Sequence, residues 1–377
     1  MTFDVAVAGL GGIGSAIAAH CATRGRSVVG IERFGPAHDR GSSHGKTRMI
    51  RKAYFEDPAY VPLILRAFEL WRDLEQRSGE ELLRITGVLS VGLEESEIVS
   101  GTKRAAAQHG LALEQLSREQ VAERYPMLRL EADEVALFEP DAGVLDPERA
   151  VTAHLNAARN AGGQLRFGET MRSWEARNDD VKIELATGET INARTLVLSL
   201  GPWFEKTLES LGVPIQVQRN VQAWFTPEAN VYEAGRFPAF LLDRAGLVAP
   251  LYGFPDFGDG VKVAFHGAGE ITDASDLKRE IDFGSEVAPI VEVMNNWMPG
   301  GAAEYRNATP CMYTLTSDGH FVVDRHPHHS NVILCGGFCG HGFKFASVIG
   351  EIGADLALDG GSRHDIGFLS LSRFASK

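Results

Sequence analysis

The chain lacks several features that would set it apart from ordinary soluble proteins. Its 377 residues contain no run of about 18 apolar side chains, so we expect no membrane-spanning helix. The N-terminal segment has neither a charged leading region nor a cleavage site, and a secretory signal is not expected. Only four cysteines are present, which favours free thiols in a reducing compartment over disulfide bonds. We therefore expect a cytoplasmic protein.

Basic residues are outnumbered by acidic ones. The sequence has 37 Lys and Arg residues against 50 Asp and Glu residues, which gives a formal net charge of −13 at pH 7. Nucleic acid and anionic membranes both bind to basic surfaces, so neither is expected as a partner. The charge carries no information about the fold.

Glycine, in contrast, is abundant at 41 residues, and a glycine-rich turn lies near the start of the chain. An apolar run at residues 3–8 is typical of a buried parallel strand, and the sequence GLGGIG follows it. Gly9, Gly11 and Gly14 would allow a tight turn and the close approach of a pyrophosphate to a helix N-terminus. The pattern predicts a dinucleotide site, with a purely structural turn as the alternative.

A second apolar run supports the dinucleotide interpretation. Residues 27–31 form a predicted strand that ends at Glu32, about 20 residues after the glycine turn. A carboxylate at this position can accept hydrogen bonds from ribose hydroxyls, and it would repel a 2′-phosphate. The resulting βαβ unit is the opening of a doubly wound sheet, but it does not distinguish NAD from FAD.

The middle of the chain changes in character. Asp57 and Asp146 each precede a proline and are predicted to cap helices. Residues 195–201 form an apolar run that we expect to rejoin the first sheet. Between residues 215 and 320, short alternating stretches are separated by Gly, Pro and Asp, which predicts antiparallel strands.

The C-terminal part returns to the first pattern, with a strand predicted at 332–335, a glycine-rich loop and a helix at 343–358. The glycines of the loop are Gly336, Gly337, Gly340 and Gly342. Without side chains, these residues would let backbone N–H groups approach a ligand closely. A large flavin needs such a second contact region, so the loop favours FAD over NAD.

Together these patterns predict an α/β (α+β) fold with a Rossmann-like FAD-binding domain and a second, mainly antiparallel-sheet substrate domain. The FAD-binding domain is expected to be discontinuous in sequence. It would comprise residues 1–80, 147–215 and 320–377, and the substrate domain would comprise residues 81–146 and 216–319.

Blocks of sequence along nearly the whole chain resemble the family of sarcosine oxidase and N-methyltryptophan oxidase, which are amine-oxidising flavoproteins. They are GLGGIG at 9–14, GSSHGKTRMIRKAY at 41–54, YGFP at 252–255, VKVAFH at 261–266, CMYT at 311–314 and GFCGHGFKFAS at 337–347. The resemblance implies a flavoprotein oxidase that demethylates an N-methyl (secondary) α-amino acid. It also implies FAD as cofactor, molecular oxygen as oxidant and a monomeric chain.

The resemblance implies that the flavin is bound covalently, through an 8α-thioether to Cys311. A thiolate is the nucleophile that can add at the flavin C8 methyl, and a cationic neighbourhood would favour that form. Taken alone, a lone cysteine is more often a buried structural thiol. Cys335 and Cys339 have the spacing C-x₃-C, but a metal site needs further ligands and none is predicted.

Four basic residues receive roles from the resemblance. Arg51 and Lys344 match the arginine and lysine that hold the substrate carboxylate, and guanidinium and ammonium groups suit that task. His44 and Arg48 match residues that line one face of the flavin ring. Without the resemblance, arginines in a loop are more often surface charges.

The remaining predicted site residues lie in the middle and C-terminal parts of the chain. Lys262 matches the lysine that activates oxygen, although the alternating strand, taken alone, favours a lysine on the solvent-facing side. Tyr252, His266 and Tyr313 match residues around the substrate amine. Tyr313 is also expected at the cofactor, together with Gly340 and Gly342 of the C-terminal loop.

Several points stay open at the level of sequence. Ser43, Lys46 and Lys52 depart from the pattern of the family and could change the electrostatics of the flavin loop. Sarcosine, N-methyltryptophan and cyclic amino acids such as pipecolate share one core, so the substrate side chain is not fixed. The alternatives are a dehydrogenase that passes electrons to a partner and, less favoured, a flavin-binding protein without turnover. An NAD-dependent dehydrogenase would leave the Cys311 block unexplained.

Overall fold

The structure is a computed structural model and describes residues 2–375, which form twenty β-strands and eight α-helices. The strands are β1 (Thr2–Ala8), β2 (Val28–Glu32), β3 (Arg48–Ile50), β4 (Leu83–Ile85), β5 (Val88–Leu93), β6 (Glu114–Leu116), β7 (Glu134–Glu139), β8 (Gly143–Leu145), β9 (Gln164–Phe167), β10 (Met171–Ala176), β11 (Val181–Leu185), β12 (Thr190–Leu198), β13 (Ile215–Thr226), β14 (Ala239–Asp243), β15 (Leu251–Phe254), β16 (Val261–Phe265), β17 (Glu270–Thr272), β18 (Glu304–Thr316), β19 (Val322–His326) and β20 (His329–Gly336). The helices are α1 (Gly12–Thr23), α2 (Val61–Ser78), α3 (Glu97–His109), α4 (Arg118–Arg124), α5 (Pro147–Asn160), α6 (Glu205–Glu209), α7 (Ala288–Trp297) and α8 (Ala346–Leu358). No helix in this part of the chain is long and apolar enough to cross a membrane.

The first sheet has eight strands and is built from both ends of the chain. Its strands run in the order β10-β11-β12-β1-β2-β9, and β20 pairs with both β12 and β19. β1 lies parallel to β2 and to β12, and β20 lies parallel to β12. The prediction that residues 195–201 and 332–335 rejoin the opening βαβ unit is therefore confirmed. The predicted Rossmann-like part of the fold is confirmed with it.

Helices α1, α5 and α8 cover the first sheet, and α1 packs closely against both α5 and α8. The closeness depends on glycine in α8, because a Cβ atom at Gly350 would lie 2.6 Å from the Cβ atom of Ala16. A Cβ atom at Gly353 would likewise lie 2.8 Å from Ile17. This packing fixes α1, and with it the glycine-rich turn that precedes the helix.

Predicted helix starts are confirmed with small differences. The Asp57 side chain accepts a hydrogen bond from the Ala59 N–H group and caps a 3₁₀ turn that leads into α2. The Asp146 side chain accepts from the Arg149 N–H group at 3.0 Å and caps α5. The last helix begins at Ala346 rather than at 343, because Phe343–Phe345 form a 3₁₀ turn closed by a short-range bond to the Gly342 carbonyl.

The second sheet has nine strands and is mainly antiparallel, as predicted. Its order is β17-β13-β16-β15-β14-β5-β7-β6, and the long strand β18 also pairs with β13. The one parallel pair in this sheet joins β14 and β5. α7 packs against its apolar face through Ile290, Met294 and Trp297, which are all buried. A separate small sheet, β3-β8-β4, places Arg48 and Met49 beside the larger sheets.

Candidate functional site

A cavity of about 400 Å³ is lined by residues of both large sheets. Twelve of the predicted site residues line it, namely Gly9, Gly11, Glu32, Arg48, Arg51, Tyr252, His266, Cys311, Tyr313, Gly340, Gly342 and Lys344. Gly14, His44 and Lys262 were also predicted for the site, but they do not line this cavity. We call it the main cavity. It brings together residues separated by more than 300 positions in sequence.

The glycine-rich turn forms one end of the main cavity. Gly9 has φ +86°, and a Cβ atom there would lie 2.2 Å from the Ser199 carbonyl oxygen. A Cβ atom at Gly14 would lie 1.8 Å from the Gly9 carbonyl oxygen. Glycine at position 14 therefore lets the first turn of α1 lie directly against the backbone of Gly9. A Cβ atom at Gly11 would lie 3.7 Å from the Ser43 hydroxyl oxygen, and the Gly12 N–H group at the start of α1 donates to the same hydroxyl at 3.1 Å. This helix end presents N–H groups that suit an anion.

Glu32 ends β2 beside this turn with its carboxylate held from two sides. The Leu10 N–H group donates to Oε2 at 2.8 Å and the Phe34 N–H group donates to Oε1 at 2.9 Å. Burial raises the pKa of this carboxyl, but the hydrogen bonds from His38 and from the two N–H groups outweigh it and lower the pKa. Glu32 is therefore ionised at neutral pH and rigidly placed in the wall of the main cavity.

Cys311 lies on β18 opposite Asn220 of β13, and its side chain is buried. The Arg48 guanidinium lies next to it, with Nη2 3.8 Å from Sγ. Arg48 is itself held by the carbonyl oxygens of Ser42 and Thr47, each at 2.8 Å. The sulfur thus faces the main cavity beside a fixed positive charge.

Arg51 and Lys344 approach one aromatic ring from two elements far apart in sequence. The Arg51 guanidinium carbon lies 4.6 Å from the centroid of the Tyr54 ring, and the Lys344 ammonium nitrogen lies 5.1 Å from it. Arg51 donates to the Glu56 carboxylate at 2.6 Å, and Lys344 donates to the His341 carbonyl oxygen at 2.9 Å. Two cations and one carboxylate therefore lie together in the wall of the main cavity.

The protonation states in this cluster follow from burial and from neighbouring charges. Burial lowers the pKa of Lys344 to about 7, with help from the Arg51 guanidinium and against the effect of Glu56. Burial raises the pKa of Glu56, but Arg51, His341 and Lys344 outweigh it and bring that pKa down to about 2. Glu56 is therefore an anion at neutral pH, whereas Lys344 changes its charge close to pH 7.

His266, Tyr252 and Tyr313 form a neutral cluster on the second sheet. The Tyr313 hydroxyl lies 3.4 Å from His266 Nδ1 and 3.5 Å from the Tyr252 hydroxyl. Burial lowers the pKa of His266 to about 4 and raises the pKa of both tyrosines, so all three groups are uncharged at pH 7. A Cβ atom at Gly340 would lie 2.4 Å from the Tyr313 ring, which explains the glycine there. The cluster offers hydrogen-bonding groups without charge.

Lys262 is buried, with 1% of its surface exposed, rather than facing solvent. Its ammonium donates to the carbonyl oxygens of Gly45 at 2.8 Å and Thr47 at 2.9 Å. Burial lowers its pKa well below the ordinary value, and the Arg48 guanidinium acts in the same direction. The strand pattern alone favoured a lysine on a solvent-facing side, and this expectation is wrong because contacts with a distant loop bury the side chain.

His44 is buried beside the same loop, and its Nε2 atom has no hydrogen-bond partner among residues 2–375. Burial, with the neighbouring Arg48, lowers its pKa to about 3, so the imidazole is neutral. Trp203 Nε1 is also buried without a hydrogen-bond partner among residues 2–375. Unlike His44, Trp203 lines the main cavity. Unpartnered buried polar atoms are uncommon in folded proteins and mark places where a bound group can complete the hydrogen bonding.

Sequence reasoning missed three lining residues that matter to the chemistry. Glu56 is five positions after Arg51, and nothing in the sequence says that the loop folds back to pair them. Gln222 lies within 3.5 Å of Arg48 but sits in an unremarkable alternating strand. Trp203 follows a Gly-Pro turn after β12, which is the only signal that could have indicated it.

Cys335 and Cys339 are free thiols in this fold. Burial raises the pKa of Cys335 to about 12 and also raises that of Cys339. Within residues 2–375, no group of three or more His, Cys, Asp and Glu side chains is arranged to hold a metal ion.

A glycine-rich turn on a parallel sheet, joined to a cavity that an antiparallel sheet also lines, defines a dinucleotide-binding protein with a second, antiparallel-sheet part. The model of the DAO family, described as FAD dependent oxidoreductase, matches residues 4–356, and the chain belongs to this family. The chain is 42% identical to monomeric sarcosine oxidase of Streptomyces avermitilis, over 100% of this chain and 98% of that protein. It is 32% identical to N-methyl-L-tryptophan oxidase of Yersinia pestis, over 99% of this chain and 100% of that protein.

A solved structure supports the same fold. NikD, described as an unusual amino acid oxidase essential for nikkomycin biosynthesis, superposes with a TM-score of 0.86 at 25% identity. The match covers 98% of this chain and 97% of that one. L-proline dehydrogenase from P. horikoshii has a TM-score of 0.85 at 21% identity, which speaks for the fold alone.

Proposed function

We propose that this protein is a flavoprotein oxidase that demethylates an N-methyl (secondary) α-amino acid such as sarcosine or N-methyltryptophan. The amine, dioxygen and water would give the primary amino acid, formaldehyde and hydrogen peroxide in equal amounts. The observation that carries the proposal is the pairing of Arg51 and Lys344 over the Tyr54 ring, in one cavity with the glycine-rich turn. The family and the named relatives support the same class of reaction.

The residues of the main cavity fit FAD. The pyrophosphate would lie at the N-terminus of α1, and Glu32 would accept from a ribose hydroxyl. Cys311 would carry the covalent 8α-thioether link, since its sulfur lies in the cavity wall beside Arg48. When bound, FAD supplies the two-electron acceptor that takes a hydride from the substrate and later gives the electrons to oxygen.

Substrate binding would depend on Arg51 and Lys344. A guanidinium grips a carboxylate through two parallel hydrogen bonds, and an ammonium adds a point charge. The substrate carboxylate would compete with Glu56, which already accepts a hydrogen bond from this guanidinium. Holding the carboxylate fixes the position of the N-methyl C–H bond relative to the acceptor, which removes much of the entropic barrier.

The neutral cluster of Tyr252, His266 and Tyr313 would surround the amine nitrogen. A secondary amine gives up hydride only when the nitrogen lone pair is free, so the amine must be unprotonated when it reacts. The cluster favours the unprotonated amine because its three side chains are uncharged. None of them carries a negative charge that would stabilise the protonated amine. The imine that forms would be hydrolysed by water to formaldehyde.

Lys262 would act in the oxidative half of the cycle. Its ammonium is held by two backbone carbonyls, and a fixed buried cation stabilises the negative charge that develops on oxygen during reduction. His44 and Arg48, which directly flank the segment 45–47, would complete the polar environment of the flavin ring. Arg48 contributes charge, whereas His44 is neutral and contributes a hydrogen bond.

We also propose that the chain acts as a monomer in the cytoplasm and divides into the two discontinuous domains described above. The strands of residues 2–32, 164–198 and 322–336 lie in the first sheet, and the second sheet takes its strands from 88–139 and 215–316. Light scattering on the purified protein tests the monomer. The function itself is tested by measuring the hydrogen peroxide and formaldehyde that form from N-methyl amino acids under air.

A further inference from the structure

Tyr54 lies behind the two cations of the proposed carboxylate site. Its side chain is fully buried and does not line the main cavity, whereas Arg51 and Lys344 do. The Arg51 guanidinium carbon and the Lys344 ammonium nitrogen lie 4.6 and 5.1 Å from the centroid of its ring. One aromatic ring therefore supports both cations, and a movement of this ring would change the position of both.

The hydroxyl group of Tyr54 has one hydrogen-bond partner within residues 2–375, and that partner is Nδ1 of His341. Burial raises the pKa of Tyr54 well above its ordinary value, so the hydroxyl keeps its proton and needs an acceptor. Burial lowers the pKa of His341 to about 3, against the effect of Glu56, so the imidazole is neutral at pH 7. A neutral imidazole has one nitrogen that accepts a hydrogen bond, and the Tyr54 hydroxyl requires that this nitrogen is Nδ1.

The other nitrogen of His341 gives the same tautomer. Nε2 lies 3.2 Å from the Gly319 carbonyl oxygen. A carbonyl oxygen can only accept, so Nε2 carries the hydrogen and Nδ1 is left to accept from Tyr54. The imidazole also packs against Phe321, with 4.8 Å between the ring centroids. His341 is therefore held in one tautomer and one orientation by contacts on both sides.

His341 reaches Lys344 as well, through its main chain. Its carbonyl oxygen accepts from the Lys344 ammonium at 2.9 Å, and its own N–H group donates to the Phe338 carbonyl oxygen at 3.0 Å. An ammonium has three N–H donors, and in the described part of the chain this is the one hydrogen bond that Lys344 makes with them. The other donors are available to a carboxylate. One residue thus fixes Tyr54 with its side chain and Lys344 with its main chain.

The bond between Tyr54 and His341 also affects how strongly the Tyr54 ring attracts a cation. A hydroxyl that donates a hydrogen bond gains electron density on its oxygen, and the attached ring becomes more electron-rich. Such a ring attracts a cation more strongly at its face. The bond therefore favours the charged form of Lys344, whereas burial acts in the opposite direction and lowers the pKa of Lys344 to about 7.

We propose that His341 is a positioning residue of the substrate site, which acts through Tyr54 to hold Arg51 and Lys344 together as one carboxylate clamp. The inference rests on the proposed oxidase function and on the roles proposed for the two cations. The imidazole exchanges no proton with the substrate, and its task is to accept the hydrogen bond from Tyr54. A clamp that is held in place beforehand loses less conformational entropy when the carboxylate binds.

The test measures the binding of acetate to the oxidised holoenzyme, followed by flavin absorbance between pH 6 and 8.5, and needs no turnover. Tyr54→Phe keeps the ring and removes the hydroxyl, and His341→Leu removes the acceptor. Each variant should bind acetate about three- to tenfold more weakly at pH 7, which is the range that one hydrogen bond corresponds to. The affinity should also fall at a lower pH than in the wild type, because the ring stabilises the Lys344 ammonium less well.

The pH dependence in this range belongs to Lys344. The charged and titratable groups that face its ammonium are Arg48, Arg51, Glu56, His266 and His341. The two guanidinium groups keep their charge throughout. The pKa values of Glu56, His266 and His341 are about 2, about 4 and about 3, which all lie below the range measured. A shift of the pH at which acetate affinity falls therefore reports on the environment of Lys344.

Three further variants show whether Tyr54 and His341 act together. The double variant Tyr54→Phe/His341→Leu should bind acetate no more weakly than the weaker single variant, because both changes remove the same hydrogen bond. His341→Asn keeps an oxygen acceptor near the position of Nδ1 and should bind acetate within about twofold of the wild type. Tyr60→Phe is the matched control, since its ring lies 5.1 Å from the Tyr54 ring but its hydroxyl accepts from the Phe321 N–H group at 3.2 Å. It should leave the acetate affinity and its pH dependence unchanged.

A loss of affinity without a shift in the pH dependence means that the fold is merely loosened, and this result overturns the proposal. A double variant whose loss is the sum of the two single losses, or a Tyr60→Phe variant that behaves like Tyr54→Phe, overturns it as well. If His341→Leu does not fold, Tyr54→Phe and His341→Asn decide by the same two readouts. Failure of the proposed function is seen separately, as a wild-type flavin that no N-methyl amino acid reduces.

Discussion

Arg51 donates a hydrogen bond to the Glu56 carboxylate at 2.6 Å, inside the cavity where both residues would meet the substrate. In the proposed function, the carboxylate of a substrate would therefore compete with an internal carboxylate for the guanidinium. Any free energy spent on breaking the Arg51–Glu56 pair reduces the free energy that is gained when the substrate carboxylate binds. If Arg51 holds the substrate as proposed, the balance between the two carboxylates contributes to the affinity for the amino acid.

Replacing Glu56 with Gln should strengthen the binding of carboxylate ligands. The amide keeps the volume but removes the charge, and a charge-assisted hydrogen bond is worth about 1.5–3 kcal/mol, so acetate should bind roughly tenfold more tightly. The dissociation constant is measured from the change in flavin absorbance during titration. Glu56→Asp is the control that keeps the charge and should stay near wild type. Weaker binding by Glu56→Gln would show that Glu56 helps rather than competes.

The affinity for acetate should fall as the pH rises through about 7. Lys344 has its pKa lowered to about 7, so its ammonium is charged below that pH and attracts a carboxylate, and it is neutral above. Loss of this charge should weaken binding by about tenfold, which corresponds to about 1.4 kcal/mol. The measurement is the dissociation constant of acetate between pH 6 and 8.5.

Two variants separate Lys344 from other titrating groups. Lys344→Met should bind acetate weakly with no change across this pH range, because no charge remains to titrate. Lys344→Arg should bind tightly and also show no change, because a guanidinium stays protonated. A wild-type affinity that does not vary with pH would contradict the assignment of Lys344 to the substrate carboxylate.

The proposed covalent link has a direct test. Acid-precipitated wild-type protein should stay yellow, because a thioether survives denaturation, and the Cys311→Ala precipitate should be colourless. Cys335→Ala is the matched control, since Cys335 is also a buried free thiol but lies outside the main cavity. A colourless wild-type precipitate would exclude the link, and a yellow Cys311→Ala precipitate would place it on another residue.

Lys262→Met should separate the two halves of the catalytic cycle. The substrate should still reduce the flavin within threefold of the wild-type rate, because Lys262 does not line the main cavity. Reoxidation by dioxygen should slow by about 100-fold or more, the effect expected from removing one preorganised group that stabilises developing charge. Stopped-flow absorbance follows each half-reaction separately, and Lys262→Arg is the control that keeps a cation.

The same variant should also lower stability. Met cannot donate to the carbonyl oxygens of Gly45 and Thr47, which keep one donor each, and each hydrogen bond lost costs about 0.5–1.5 kcal/mol. Thermal unfolding monitored by circular dichroism should show a lower Tm for Lys262→Met. An unchanged Tm would mean that water replaces the ammonium without cost.

The sequence was most informative where local patterns dictate structure. The βαβ opening followed from an apolar run, a glycine turn and a carboxylate at Glu32, because each of these acts within a few residues of its neighbours. The helix starts at Asp57 and Asp146 followed from capping chemistry. The roles of Arg51 and Lys344 came from resemblance, since nothing local indicates that they meet at Tyr54.

Burial of charged groups could not be read from the sequence. The alternating strand around Lys262 suits a solvent-facing lysine, and its burial depends on a loop more than 200 residues earlier. The Arg51–Glu56 pair likewise depends on how one loop folds back on itself. Such contacts are set by tertiary packing, which short-range periodicity does not describe.

The most direct measurement is the stoichiometry of products with a panel of N-methyl amino acids. Under air, each molecule of sarcosine or N-methyltryptophan consumed should yield one formaldehyde and one hydrogen peroxide, and without oxygen the same substrate should bleach the flavin. Formaldehyde without peroxide would identify a dehydrogenase that uses another electron acceptor. A flavin that no N-methyl or cyclic secondary amino acid bleaches would contradict the proposed function.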